Sequence, residues 1–193
     1  MYVEKIRAVK LVVKNLIQSC CYRIVKGECS VDYDNLQSII FLCYGNIIRS
    51  PFCEYYFKSC LPEKISLEVA SAGFFKKEGR SSPDKAKVAA KSFNIDLSPH
   101  RSKTISRSMV ENSSLVIGMH YFHYREFKKL FPSEVHKFYL LKPLGNPANL
   151  LVNIADPYGK SSVAYMKCYS ELKECLNTIV DTIIFCLEKE SRE

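Results

Sequence analysis

The chain reads as an α/β fold, a single mainly parallel sheet covered by helices on both faces, and three observations predict it. A short apolar run, Ser38 to Leu42, ends in Cys43 and passes through a glycine and asparagine loop into Arg49-Ser50-Pro51, which opens a helix. Further short apolar runs alternate with helical periodicity along the rest of the chain, the order that builds parallel sheets. A last segment, 161–188, carries Val163, Met166, Tyr169, Leu172, Leu176, Ile179, Ile183 and Leu187 at helical spacing, which makes it a long helix packed on that sheet.

The other elements follow in order. In residues 1–35, an N-terminal extension, Ile6, Val9, Val13, Leu16, Ile17 and Cys20 recur at helical spacing, while Lys5, Arg7, Lys10 and Lys14 fall largely elsewhere. This predicts an amphipathic helix of about four to five turns, followed by a connecting loop from Gly27 to Asn35. Such a helix packs on its own domain or lies against a membrane or a partner, and packing on its own domain is the expected arrangement. Lys10 and Lys14 interrupt any signal-peptide apolar core. Residues 36–193 form the main domain. There the helix opened by Pro51 continues through Lys58 until Pro62 halts it, and Ile65 to Val69 alternates as a second strand. Ser82-Pro83-Asp84 starts a helix with Ala86, Val88, Ala89, Ala90 and Phe93 on its apolar face. Ser114 to Met119 is the third strand, Tyr121 to Leu130 a helix, Lys137 to Leu141 the fourth strand, and a loop with Pro143, Gly145 and Pro147 leads to Asp156-Pro157.

Bulk properties narrow the function. With 193 residues and 47% hydrophobic content the chain can bury a sizeable core, and no stretch is long and apolar enough to span a membrane. The net charge of +8 is carried by scattered Lys and Arg without a nucleic-acid module, so it reads as weak steering toward anionic substrates. Nine cysteines, an odd number without Cys-x-x-Cys pairs, argue for reduced thiols in the cytoplasm.

The loop after the first strand is built for a tetrahedral dianion. A loop entering a helix N-terminus aims unsatisfied N–H groups at one centre, where the helix dipole adds positive charge. Gly45 lets the backbone approach a ligand, and Asn46 tolerates a left-handed conformation. Arg49 offers a rigid fork to two phosphate oxygens. The same field favours the thiolate of Cys43, a nucleophile, and the Ser50 hydroxyl is placed to hydrogen-bond the sulfur. Downstream, Asp156 is held extended by Pro157 and offers a carboxyl to protonate a leaving oxygen. Tyr158 beside it would wall the cleft and select a flat aryl group. Phe74 and Phe75, at the carboxyl end of a strand, are candidates for the facing wall, Phe74 foremost. His120, His123 and His136 show no metal spacing and are assigned no chemistry.

The segment Cys43-Tyr44-Gly45-Asn46-Ile47-Ile48-Arg49-Ser50-Pro51 resembles the phosphate-binding loop of the low-molecular-weight protein tyrosine phosphatases. The similarity continues through Ser71-Ala72-Gly73, Ile95 to Arg101 and Asp156-Pro157-Tyr158-Gly159, and covers roughly residues 38–189. The resemblance implies a four-stranded sheet, hydrolysis of phosphotyrosine on proteins through a phosphocysteine without metal or cofactor, and phosphate binding by Tyr44, Gly45, Asn46, Ile47, Ile48 and Ser50. It implies that His100 supports that loop by a hydrogen bond. Relatives that act on phosphoarginine carry threonine at the place of Ile47, and isoleucine is the tyrosine-type choice. A tyrosine-phosphorylated kinase of polysaccharide export is the implied partner for a bacterial source. Most relatives also carry a second cysteine at the place of Ile48, able to form a reversible disulfide with the nucleophile, and this chain departs from that pattern. Two other readings share the loop. An arsenate reductase needs two further redox cysteines after the third strand, but no cysteine lies between Cys60 and Cys168. A non-catalytic phospho-ligand module would have no use for Asp156.

Overall fold

The computed structural model describes residues 2–26 and 31–190, with side chains described over 9–26 and 31–187. Helix α1 is Tyr2–Lys26, strand β1 Ser38–Cys43, helix α2 Arg49–Cys60 and strand β2 Glu68–Gly73. Helices α3 (Asp84–Lys91) and α4 (Arg107–Glu111) lead to β3 (Leu115–Gly118), α5 (Tyr121–Leu130), a 3-10 turn at Pro132–Lys137, β4 (Phe138–Leu140), α6 (Leu141–Gly145) and α7 (Ser162–Glu190). The four strands form one parallel sheet in the order β2-β1-β3-β4, the expected three-layer architecture.

Alternation along β1 divides the core. Ile39, Phe41 and Cys43 face the layer of α2, α3 and α7, while Ile40 and Leu42 face the layer of α5 with Tyr124, Phe127 and Phe138. Cys43 thus ends a fully paired central strand, opposite Gly73 of β2. A side chain at Gly73 would place its Cβ 2.7 Å from the Tyr44 carbonyl oxygen and 2.9 Å from the Asn46 nitrogen, so only glycine lets the loop after Cys43 close over β2.

Several boundaries differ from expectation. The second strand was expected at Ile65 to Val69 but runs from Glu68 through Ser71-Ala72-Gly73, because that stretch pairs residue by residue with β1. The segment containing Pro143 and Gly145 is the short helix α6, held against α7 by the ion pair of Lys142 with Glu171. Helix α1 is longer than expected, 25 residues or about seven turns.

Helix α1 also docks by a different face. It packs on its own chain, as expected, but through Asn15, Gln18, Ser19, Tyr22 and Lys26, while Val9, Val13, Leu16, Ile17 and Cys20 are exposed. The side chains of Lys5, Ile6 and Arg7 and all of 27–30, where part of the connecting loop was expected, lie outside the described residues. The reason is the surface that α1 meets, a rim made by the open edge of β4, the 3-10 turn and the 147–152 loop, whose polar backbone groups need partners. Ser19 Oγ accepts from the Val152 amide at 3.2 Å and Tyr22 OH from the Leu140 amide at 2.8 Å. Arg23 donates to the carbonyls of Pro147 and Asn149, and Lys26 to those of Val135 and His136.

Candidate active site

The loop between β1 and α2 wraps around the Cys43 sulfur. Asn46 takes φ +49°, the left-handed conformation, which turns its amide back to donate to Cys43 Sγ at 3.2 Å. Ser50 Oγ lies 3.0 Å from the same sulfur. The buried Asn46 side chain then ties the loop down: Nδ2 donates to Ser50 Oγ and Ser71 Oγ, both at 2.9 Å, and Oδ1 accepts from the Lys103 amide at 2.8 Å. Ser71 in turn donates to Glu54 at 2.6 Å. His100 Nε2 stands 2.8 Å from the Asn46 carbonyl oxygen, which accepts only, so this nitrogen carries the proton and supports the left-handed turn. The supporting position expected for His100 is the one it occupies.

Arg49 is buried in the first turn of α2. Its guanidinium donates to the Ile154 carbonyl at 3.2 Å and forms an ion pair with Asp156. Asp156 reaches it on the loop before α7, which is pinned to the end of β3 by the Ile154 amide donating to the Met119 carbonyl at 2.9 Å. The Tyr158 amide donates to Asp156 Oδ1 at 3.0 Å, so the carboxylate is held on both sides.

These groups meet in a cavity of about 260 Å³ lined by Cys43, Tyr44, Gly45, Ile47, Ile48, Arg49, Phe75, Arg80, Asp156 and Tyr158. The catalytic candidates Cys43, Arg49 and Asp156 and the aromatic Tyr158 come together as expected. Ile48 is buried in the core on the α2 and α7 side of the sheet and also lines the cavity. Phe74 is the exception. It packs into the α5 layer, 5.9 Å from His123, because successive side chains after β2 alternate and its side of the strand faces that core. Phe75 takes the wall instead, 5.9 Å from Tyr44, with Arg80 stacked on its ring and donating to the Gly45 carbonyl. Arg80 carries no sequence signal, since only the folded loop brings it to Gly45.

His120 and His123 also stand at this mouth, in a neighbouring hollow with Tyr44, Arg49, Phe122 and Asp156. Their bonds are structural: His120 Nδ1 accepts from the Phe122 amide and caps α5, and His123 Nδ1 accepts from the Met119 amide. Among the described residues no cluster of ligating side chains could hold a metal ion.

Burial holds the imidazoles of His100 and His123 below the usual 6.5, and that of His120 at about 4, with Arg49 and Lys14 adding repulsion to the last. A folded histidine that resists protonation takes up a proton on unfolding. Its contribution to stability is therefore full above pH 6.5 and is lost as pH falls toward the folded values. Unfolding free energies from denaturant titrations are expected to drop between pH 7.5 and 5.5, by at most about 1.4 kcal/mol per pH unit for each histidine. His123→Gln is expected to be less stable at pH 7.5 but flatter across that range, and an unchanged slope in that variant would contradict the assignment.

The missing thiol at Ile48 has a chemical consequence. Burial raises the Cys53 thiol well above its ordinary value and pushes Cys168 up to about 12, so both stay protonated and attack a sulfenic acid poorly. Peroxide is therefore expected to carry Cys43 to the irreversible sulfinic and sulfonic acids. Full recovery by dithiothreitol, or a disulfide to Cys43 found by mass spectrometry, would contradict this.

Residues 38–190 match the family model described as low molecular weight phosphotyrosine protein phosphatase. The chain is 30% identical over 148 residues to the probable low molecular weight protein-tyrosine-phosphatase AmsI of Erwinia amylovora, covering 77% of this chain and 98% of that protein. It is 30% identical over 142 residues to a protein-arginine-phosphatase of Bacillus subtilis, covering 73% of this chain and 93% of the relative. A crystal structure of a YwlE mutant from Bacillus subtilis superposes with a TM-score of 0.70 at 29% identity, over 76% of this chain and 97% of that one.

Proposed function

The chain belongs to the low-molecular-weight phosphotyrosine protein phosphatase family, and from that premise we propose that it hydrolyses phosphotyrosine on proteins in two steps through a phosphocysteine. The observation that carries this reading is a buried thiol at the floor of a cavity whose walls are the rings of Tyr44, Phe75 and Tyr158. A phosphorylated phenol is the flat, long substrate that reaches such a floor.

In the first step the Cys43 thiolate attacks phosphorus in line, and the P–O bond to the phenol breaks. Arg49 and the loop N–H groups stabilise the three equatorial oxygens. The dianion also offers Arg49 a bidentate partner in place of the single Asp156 oxygen that it otherwise holds, which frees the carboxylate to take up a proton from solvent and pass it to the departing phenolate. In the second step Asp156 takes a proton from water as that water attacks the phosphocysteine. Inorganic phosphate and the Cys43 thiolate result, with the sulfur eased out by the hydrogen bonds of Ser50 and the Asn46 amide.

The relative named an arginine phosphatase makes phosphoarginine the second reading. Ile47 lies in the cavity wall, and its apolar side chain disfavours a guanidinium leaving group. The test is hydrolysis of phosphotyrosine, phosphoserine and phosphoarginine peptides in EDTA, with phosphotyrosine expected to lead in kcat/KM by more than about tenfold. A lead for phosphoarginine would replace the proposal with the second reading. The partner proposed is a tyrosine-phosphorylated protein in the cytoplasm and, for a bacterial source, a kinase of polysaccharide export.

A further inference from the structure

Helix α1 leaves uncovered Val9, Val13, Leu16 and Ile17, which its sequence pattern marks as the docking face, together with Val12 and Ile24. Val9 is 62% exposed, Val13 49%, Ile17 58% and Ile24 81%, with Val12 and Leu16 exposed beside them. At 100° per residue these six side chains span an arc of roughly 140°, which also takes in Cys20 and Arg23 and adjoins the polar stripe that docks. The helix is held in place by that stripe, so its apolar arc is presented outward on a fixed support.

Charge selects what can cover the arc. From Val9 to Lys26 the helix carries Lys10, Lys14, Arg23 and Lys26 and no acid, and Arg125 of α5 joins Lys10 and Lys14 along one edge of the arc. A second copy of this face would set bases against bases along the seam, which a paired-helix dimer does not tolerate. A protein groove covers a stripe of a helix, whereas this arc is broad, and only its edge beside Tyr121 and Arg125 is hollowed. A bilayer bearing anionic headgroups matches both features, taking the apolar arc into its interface while its headgroups meet the lysines at the edge. Among the described residues no helix is long and apolar enough to cross a membrane, so α1 lies in the plane.

We propose that α1 is an in-plane anchor that binds this protein to anionic membrane surfaces through Val9, Val13, Ile17 and Ile24, with Lys10 and Lys14 at the headgroups. Its support links it to the catalytic mouth. Asn153, three residues before Asp156, donates to Asn15 Oδ1 at 3.2 Å and to Gln18 Oε1 at 2.9 Å, and accepts from the Tyr121 amide at 2.7 Å beside Phe122 of the mouth. The anchor and the acid loop are therefore built on one polar bridge, and the cleft opens next to the lipid interface.

The test is flotation of the full chain with vesicles of phosphatidylcholine alone and of phosphatidylcholine with equimolar phosphatidylglycerol. Binding is expected to the anionic vesicles and to be at least about tenfold weaker to the neutral ones, falling further as salt rises from about 0.1 to 1 M. Val13→Asp with Ile17→Asp, and separately Lys10→Glu, are each expected to weaken binding by more than about tenfold. Both variants should keep the wild-type rate on p-nitrophenyl phosphate, which reports an intact fold. Equal binding to both vesicles, wild-type binding by either variant, or failure of the wild type to float would overturn the proposal. A concentration-dependent dimer lost in Val13→Asp with Ile17→Asp, without vesicle binding, would assign the face to a second copy.

Discussion

Cys43→Ser is expected to abolish turnover while leaving the anion site intact. The hydroxyl fits the space of the thiol, and the groups that hold phosphate, the Arg49 fork and the N–H groups of the loop, belong to the backbone and to α2 rather than to the sulfur. What is lost is the nucleophile, since a serine hydroxyl is a far weaker nucleophile than a thiolate. Removing a nucleophile outright in a comparable covalent mechanism costs about 10⁶ in kcat, so a fall of at least about 10⁴ on p-nitrophenyl phosphate is the expected reading. Inorganic phosphate should still bind, as measured by calorimetry. Full activity in the variant would overturn the mechanism. A wild type that binds phosphate without turning over would instead favour the phospho-ligand module.

Asp156→Asn is expected to slow the reaction by roughly 10² to 10³, the size of a positioned general acid, and the loss should depend on the leaving group. Phenyl phosphate, whose phenolate needs the proton, should suffer most. p-Nitrophenyl phosphate, whose leaving group departs unassisted, should suffer least. Because the same carboxylate serves as base in the second step, the phosphocysteine should accumulate in the variant and be visible by intact mass. Removing the charge that pairs with Arg49 should at the same time tighten phosphate binding. An equal loss with both leaving groups would exclude the acid role and leave Asp156 as a partner for Arg49 alone.

Much of the site was legible because its parts are local. Cys43, Asn46, Arg49 and Ser50 sit within one strand, loop and helix start, where backbone geometry follows from a few residues, and the left-handed turn at Asn46 is a local preference. Asp156 was legible through Pro157, which restricts its backbone. The facing wall was not. Whether Phe74 or Phe75 lines the cleft depends on where β2 ends, and that is set by pairing with β1 through Gly73, a contact between residues some thirty positions apart. Arg80 and His120 reach the site from loops whose placement no periodicity encodes.

Helix α1 marks the same boundary most sharply. Its periodicity established that it is a helix and which residues form its apolar arc, because both are properties of 3.6-residue winding. Its orientation was decided by the surface it meets. The rim formed by the Leu140, Pro147, Asn149 and Val152 backbone exposes donors and acceptors that only a polar stripe can satisfy, and burying them unpaired would cost more than exposing valines. The sequence by itself thus determined the loop after the first strand, with its thiol and arginine, and the order of the strands and the longer helices. The tertiary structure decided which aromatic walls the cleft, which arginine supports it, and that the apolar face of the first helix turns outward.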